Sequence, residues 1–320
     1  MSVLKINMTY QCTAKCRHCR FACDQSPHSI VDFDLVMQCI DTLQKHNNLE
    51  LVVLLGGEPG LVAEMTHTLV SEVRKRGICA RVETNASWAT SEEAAYSFLD
   101  KLYSQDCAVM FSLDSFHEPF VPLDNVERAI RVSEEFDGFY NLEVAYMAGP
   151  GSSNVADLRT DQLLAELSRR LGHLPREIYR GNIFFTGQAA YTLADSVAVG
   201  RGVPKDICDT APWWNNGSFS SLELLILDSE GYLSKGCNVA IGNIKHTPVL
   251  DVIRSFDAHQ HPVFSTLIKS GPFGLAEEAS RLGYTIKTDY ADKCHLCQEA
   301  RDVLEAAYPE YIIPIRRFQS

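Results

Sequence analysis

The sequence has no excess of positive charge: 29 Lys and Arg stand against 41 Asp and Glu, a net charge of −12. No basic stripe is hidden in that balance, so the chain repels phosphate backbones and nucleic acid is not an expected partner. Long apolar runs are also missing. No uncharged stretch approaches the ~18 residues that a membrane span needs, and no membrane association is expected. The N-terminus, Met1 to Asn7, lacks the apolar region of a secretory signal. The expected location is therefore cytoplasmic. No fixed-period repeat or low-complexity tract occurs, and the ten histidines show no paired ligand spacing.

What the chain does contain is cysteine, eleven in 320 residues. That length suits about two domains of ~150 residues. A reducing compartment rules out a disulfide framework, so spacing matters more than number. Cys12, Cys16, Cys19 and Cys23 fall within twelve residues, and Cys294 and Cys297 form a CxxC near the C-terminus. Cys208 and Cys237 lie between these groups beside turn-forming residues. Cys39, Cys79 and Cys107 stand alone in apolar stretches and read as small buried hydrophobes.

Strand and helix patterns alternate six times over the first half. Strands are expected at Val3–Thr9, Leu51–Leu55, Ala80–Thr84, Ala108–Leu113, Asn141–Met147 and Ile178–Phe185. Between them, helices are expected at 32–46, 61–76, 91–103, 124–136 and 161–171. The Leu51–Leu55 run, continuous and ended by Gly56-Gly57, is typical of a strand buried on both faces. The rhythm predicts an α/β fold with a parallel sheet, a full or partial barrel. It stops after Gly187, and a boundary is expected within 194–204, separating residues 1–195 from a small α+β unit at 205–320. A hairpin, Leu222–Leu227 with Tyr232–Ser234, opens that unit, and a helix begins near Cys297.

The first cysteine group follows the first strand, at the carboxyl edge where α/β sheets build their sites. Thiolates spaced x3 and x2 wrap one small object. Zinc with Cys23 as a fourth ligand is one reading, and an iron–sulfur cluster with three ligands and one open iron is the other. Spacing alone does not choose. The next three strand ends are also polar: Gly56-Gly57-Glu58-Pro59, then Thr84-Asn85, then Ser112-Leu113-Asp114-Ser115. Adjacent glycines let backbone approach a ligand closely. His117 and Glu118 suggest acid–base chemistry, but satisfying backbone donors at a strand end explains them equally well.

A CxxxCxxC loop after the first strand, with Gly-Gly-Glu-Pro after the second, resembles the radical S-adenosylmethionine (SAM) enzymes over residues 1 to about 190. The resemblance implies a partial (β/α)6 TIM barrel whose Cys12, Cys16 and Cys19 hold a 4Fe–4S cluster with SAM on its open iron. It implies that Gly56, Gly57 and Glu58 hold the SAM amino group, with His18 near the adenine. Asn85, Ser112 and Asp114 match positions near the sugar, the methionine carboxylate or the substrate. Thr186-Gly187-Gln188-Ala189 resembles a sixth-strand motif, departing from it at Gln188.

Cys208, Cys237, Cys294 and Cys297, spaced x28, x56 and x2, suit zinc or a second cluster equally on counting. Their order and hairpin context resemble the twitch domain, a short form of the SPASM domain, which implies one auxiliary 4Fe–4S cluster. Cys23 and Cys237 are candidate hydrogen-atom donors. Trp213-Trp214 reads as a pocket wall or as packing around the cluster. An electron donor such as flavodoxin or ferredoxin is implied as a partner. The stretch His18 to Cys23, with Pro27 soon after, resembles peptide-modifying members such as epipeptide epimerases, so the expected substrate is a ribosomally made peptide. Only eleven residues precede Cys12, too few for a leader-binding domain, which points instead to the alternative of a small alcohol or sugar. A zinc-stabilised binding module without catalysis is the reading from another class.

Overall fold

The computed structural model describes residues 2–24, 26, 28–175, 177–208 and 219–315. Six parallel strands lie side by side in chain order: β1 (Ser2–Asn7), β2 (Leu49–Leu55), β3 (Cys79–Thr84), β4 (Ala108–Ser112), β5 (Tyr140–Tyr146) and β6 (Ile178–Asn182). Five crossover helices join them: α1 (Phe33–Asn47), α2 (Ala63–Lys75), α3 (Glu92–Tyr103), α4 (Leu123–Glu135) and α5 (Val155–Leu171). Helix starts follow from side-chain caps. Asp32 accepts the Leu35 N–H, Ser91 that of Ala94, and Asn154 those of Ala156 and Asp157.

Alternate strand residues divide the sheet into two faces. Leu4, Ile6, Val52, Leu54, Val82, Val109, Phe111, Leu142 and Val144 are buried against the helices, each side chain contributing about 1.5–3 kcal/mol. The opposite face carries Lys5, Arg81, Glu83, Ser112, Glu143, Arg180 and Asn182, which line a cavity. A sheet with one apolar face and one polar, concave face is a partial barrel with a wet interior.

Two expectations shift here. Helix α5 begins at Val155 rather than Asp161. Val155 and Leu158 are exposed and break the apolar period, while Asp157 is fully buried and accepts the N–H groups of Met147, Ala148 and Gly149. Cys79 is exposed at the start of β3, whereas Cys39 and Cys107 are buried as expected.

The C-terminal part continues the same sheet. Strand β7 (Leu224–Leu227) pairs parallel to β1, with Val3 opposite Leu224 and Ile6 opposite Leu227, and β8 (Tyr232–Ser234) and β9 (Ala240–Asn243) follow antiparallel. The order is β6-β5-β4-β3-β2-β1-β7-β8-β9. The segments 1–195 and 205–320, read from the sequence as domains, thus share one sheet and one apolar core that runs from Leu4 to Leu225 and Leu296. Short helices α6 (Gln188–Thr192) and α7 (Asp195–Ala198) lead out of the barrel; α8 (Val249–Ser255), α9 (Pro262–Ser280) and α10 (Lys293–Leu304) cover the far end. Helix α9 kinks at Gly271 (φ 65°) before Pro272. A Cβ on Gly271 would lie 2.2 Å from the Asp206 carbonyl oxygen. That close approach lets the Cys208 N–H reach the Leu267 carbonyl at 3.1 Å. Among the described residues, no helix is long and apolar enough to cross a membrane.

Candidate active site

The loop after β1 is held from both sides. Cys12 donates its N–H to Asp24 (2.6 Å), and Gly57 and Glu58 donate theirs to Thr9 (2.7 Å) and Gln11 (2.9 Å). A Cβ on Gly57 would sit 1.8 Å from the Gln11 carbonyl, and one on Gly56 would sit 2.1 Å from Asn7 Oδ1. The glycine pair therefore lets the second loop press against the cysteine loop, a requirement apart from ligand approach. Tyr10 ties the loop to the C-terminal hairpin through Asp228 Oδ2 at 2.8 Å.

Cys12, Cys16, Cys19 and Cys23 all face one cavity of about 880 Å³, together with the backbone of Gly56 and Gly57 and with Asn85, Ser112, Asp114, His18 and His117. Burial pushes the Cys12 and Cys16 thiols up. A hydrogen bond from the Cys23 thiol brings Cys19 down to about 6, and the Cys23 thiol itself rises. Buried thiols of raised pKa are poor free thiolates, and a bound cation or cluster is what stabilises their ionised form. Asn85 directs its amide at Cys12 Sγ (3.6 Å) and Thr13 Oγ1 (3.1 Å).

Glu58 takes a different place from the expected one. Its carboxylate accepts Gly60 N–H (2.8 Å), Thr84 Oγ1–H (2.7 Å) and Asn85 N–H (2.9 Å), and it is absent from the cavity lining. It acts as the cap of a 3-10 turn, Pro59–Val62, and as the tie between two strand ends. The expectation that Glu58 holds an ammonium group stands beside this structural role as a proposal.

The sequence dismissed its histidines as a ligand group, and the fold brings two of them together. His18, Asp114 and His117 place their ligand atoms within 4.8 Å of one another. Asp114, buried, accepts the N–H groups of Phe116 and His117 and the Nδ1 of His117 at 2.9 Å. Burial disfavours its charge, but His117 and His18 more than offset this and hold the carboxyl well below its usual range. Burial keeps His18 neutral, with a pKa near about 4. Its ring lies 4.8 Å from that of Phe116. Glu118 turns away and pairs with Arg159.

The cavity wall also carries a charged layer that sequence reasoning did not single out. Glu83 is held by Lys5 (3.0 Å) and Arg81 (2.9 Å). Glu143, opposite Ser112 in the β4–β5 register, lines the same cavity; its carbonyl accepts the Leu113 N–H (3.0 Å), while its carboxylate makes no hydrogen bond among the described residues. Burial and the Glu83 charge push its carboxyl up. The signal was present as alternating charge in the apolar strands β1, β3 and β5.

The second cysteine group also converges. Cys208, Cys237, Cys294 and Cys297 line one small pocket with Phe219, Leu267, Pro272 and Arg301. Cys294 and Cys297 share a face of the first turns of α10, which is capped by Asp292 onto the His295 N–H (2.8 Å). The helix starts four residues before the expected Cys297. Cys237 faces this pocket and Cys23 faces the larger one, so the two candidate hydrogen-atom donors stand at different sites. Trp213, Trp214 and Pro27 lie outside the described residues.

The loop at the end of the sixth strand–loop unit joins the two pockets. Thr186 Oγ1 donates to Gln298 Oε1 (2.9 Å). Gly187, where a Cβ would lie 2.3 Å from the Arg20 carbonyl, packs on the cysteine loop. Gln188 donates its N–H to the Cys19 carbonyl (2.8 Å).

Residues 6–149 match the family model described as the radical SAM superfamily. The putative peptide biosynthesis protein YydG of Bacillus subtilis (strain 168) is 20% identical over 163 residues, 50% of this chain. The match spans about half (51%) of that relative's length. The fold resembles native anSMEcpe with bound AdoMet (TM-score 0.57, 12% identity, 96% of this chain and 97% of that one). It also resembles Streptococcus suis SuiB bound to precursor peptide SuiA (TM-score 0.51, 15% identity, 98% of this chain and 74% of that one).

Proposed function

We propose, from the radical SAM domain that residues 6–149 provide, that this chain is a radical SAM enzyme acting on a ribosomally made peptide. The observation that carries the reading is the convergence of Cys12, Cys16 and Cys19, on one loop, with the Gly56-Gly57 backbone at one cavity of about 880 Å³. That volume lies toward the upper end of the ~300–1,000 Å³ of ligand pockets, large enough for SAM beside part of a substrate. The donor set fits a 4Fe–4S cluster. The thiols are buried and poorly ionised on their own.

Cys12, Cys16 and Cys19 would hold a 4Fe–4S cluster, which, when bound and reduced, would supply the electron for reductive cleavage of SAM and so for hydrogen-atom abstraction from the substrate. The chain's own residues position and exclude. Gly56 and Gly57 present backbone polar groups to the cavity. Asp114, clamped by His117, offers a fixed negative edge. Neutral His18 supplies a flat wall for a ring. The Glu143 carboxylate, without a hydrogen-bond partner among the described residues, lines the cavity and is placed to accept a substrate donor group. The C-terminal pocket holds the auxiliary cluster in this reading, with residues 205–320 as its twitch-type unit and flavodoxin or ferredoxin as the electron source. The peptide assignment is supported by the likeness to YydG, a putative peptide biosynthesis protein, and by the likeness of the fold to SuiB bound to its precursor peptide.

The test is anaerobic reconstitution with iron and sulfide, followed by incubation with SAM, a reductant and short peptides encoded beside the gene. Release of 5′-deoxyadenosine with a mass change in one such peptide is the expected result. Deoxyadenosine release without any peptide product, together with oxidation of a small alcohol or sugar, would replace the substrate class.

A further inference from the structure

Arg301 is a buried cation that hydrogen-bonds to no carboxylate among the described residues. It is 2% exposed on α10, and its guanidinium meets only neutral oxygens: the carbonyls of Cys237 and Cys297 (3.3 Å for the latter), Gln298 Oε1 (3.0 Å) and Thr186 Oγ1 (3.5 Å). It forms no ion pair among the described residues; Asp302 is occupied by the Tyr191 hydroxyl (2.6 Å) and the Gln298 amide (2.9 Å). Burying a charge this way costs several kcal/mol unless an opposite charge shares the site. The rest of the pocket is apolar (Phe219, Leu267 and Pro272) apart from Lys293 at its rim and the four thiols. Lys293 is half-buried and reaches water. The Asp302 carboxylate also acts on Arg301 from outside the pocket, and within the pocket lining the four thiols are the groups that can become anions.

We propose that Arg301 is the resident counter-charge of an iron–sulfur cluster bound by Cys208, Cys237, Cys294 and Cys297, and that it sets that cluster's reduction potential. The inference rests on the auxiliary-cluster reading above. Four thiolates around an iron–sulfur core leave a net negative charge, and each added electron deepens it. Net charge and hydrogen bonding around the cluster are what tune its potential. A fixed cation beside it favours the reduced state. Its flat fork also holds the backbone of two ligand residues at once, which an ammonium cannot do. Through Gln298, which accepts from both Thr186 Oγ1 (2.9 Å) and Gly187 N–H (3.3 Å), the cation is tied to the loop whose next residue holds the Cys19 carbonyl. Arg301 is thus a positioning residue between the two cysteine pockets.

The experiment uses the full chain, reconstituted as wild type, Arg301→Lys and Arg301→Met, with iron content and an EPR-monitored redox titration as readouts. In Arg301→Met the auxiliary cluster's reduction equilibrium is expected to shift at least tenfold toward the oxidised state, about 59 mV for one electron. The potential of the cluster on Cys12, Cys16 and Cys19 should stay put. Arg301→Lys keeps the charge and should recover most of the shift. Should Arg301→Met not fold, Arg301→Gln is the charge-free probe and the same shift is expected. Two clusters in every protein with an unchanged auxiliary potential in the charge-free variants overturns the inference alone. Zinc with a single cluster in the wild type overturns the auxiliary-cluster reading and this inference with it.

Discussion

The two cysteine pockets share a ligand type and differ in nearly everything else. The N-terminal one sits on a loop and opens onto a cavity of about 880 Å³ lined by glycine backbone and charged side chains. The C-terminal one is closed by Phe219, Leu267 and Pro272, rests on a helix, and holds a buried guanidinium. A centre meant to exchange ligands needs room and an adaptable frame. A centre meant only to hold charge needs a dry, rigid pocket with its balance built in. In the proposed reading the contrast gives the chemistry to the first pocket, and to the second electron transfer or the organisation of the substrate side.

The largest effect should come from the open pocket. Cys12→Ala, Cys16→Ala and Cys19→Ala are each expected to abolish 5′-deoxyadenosine release while leaving the far-UV circular dichroism spectrum intact, because the loop lies outside the main apolar core. Residual cleavage in any reconstituted variant would break the assignment. Next comes the closed pocket. Cys294→Ala combined with Cys297→Ala should halve the iron content and spare uncoupled SAM cleavage. Turnover of the true substrate should disappear. Stability should fall as well, since metal–ligand sets supply up to about 10 kcal/mol of folding energy in zinc-finger peptides. A double variant that loses chemistry at the first site instead would erase the distinction between the pockets.

Two smaller effects sharpen the contrast within the open pocket. Gly57→Ala drives a methyl group to 1.8 Å from the Gln11 carbonyl. The loops must part, at about 1–3 kcal/mol; the melting temperature and SAM affinity should fall together. Glu58→Gln leaves a buried N–H facing an amide NH2 instead of a carboxylate oxygen, a loss of about 1–3 kcal/mol readable by urea denaturation. SAM affinity should change less than stability does. Unchanged stability with lost SAM binding would instead support the ammonium contact expected of Glu58 from the motif.

Much of this arrangement is legible in the sequence. The parallel strands follow from short apolar runs ended by glycine or polar residues, and Asp32, Ser91 and Asp292 mark helix starts by accepting backbone N–H groups. Cysteine spacing locates both pockets. What the spacing does not reveal is partnership at a distance. Glu58 meets Thr84 and Asn85 only because β2 and β3 end side by side. The charged layer of Lys5, Arg81, Glu83 and Glu143 hides in strands whose other face is apolar. Strand β9, four residues including a glycine, is too short to show a period. The boundary expected near 195–205 reflects a change of local rhythm, yet β7 pairs with β1 across it. Local pattern carries no information about which edge a later strand will extend.

The most direct test of the account is a metal and product analysis of the anaerobically reconstituted wild-type chain given SAM and dithionite. The account predicts a brown protein with about eight irons, two clusters of four, that releases 5′-deoxyadenosine and methionine in equal amounts. A colourless protein holding zinc, with no deoxyadenosine released, would contradict it.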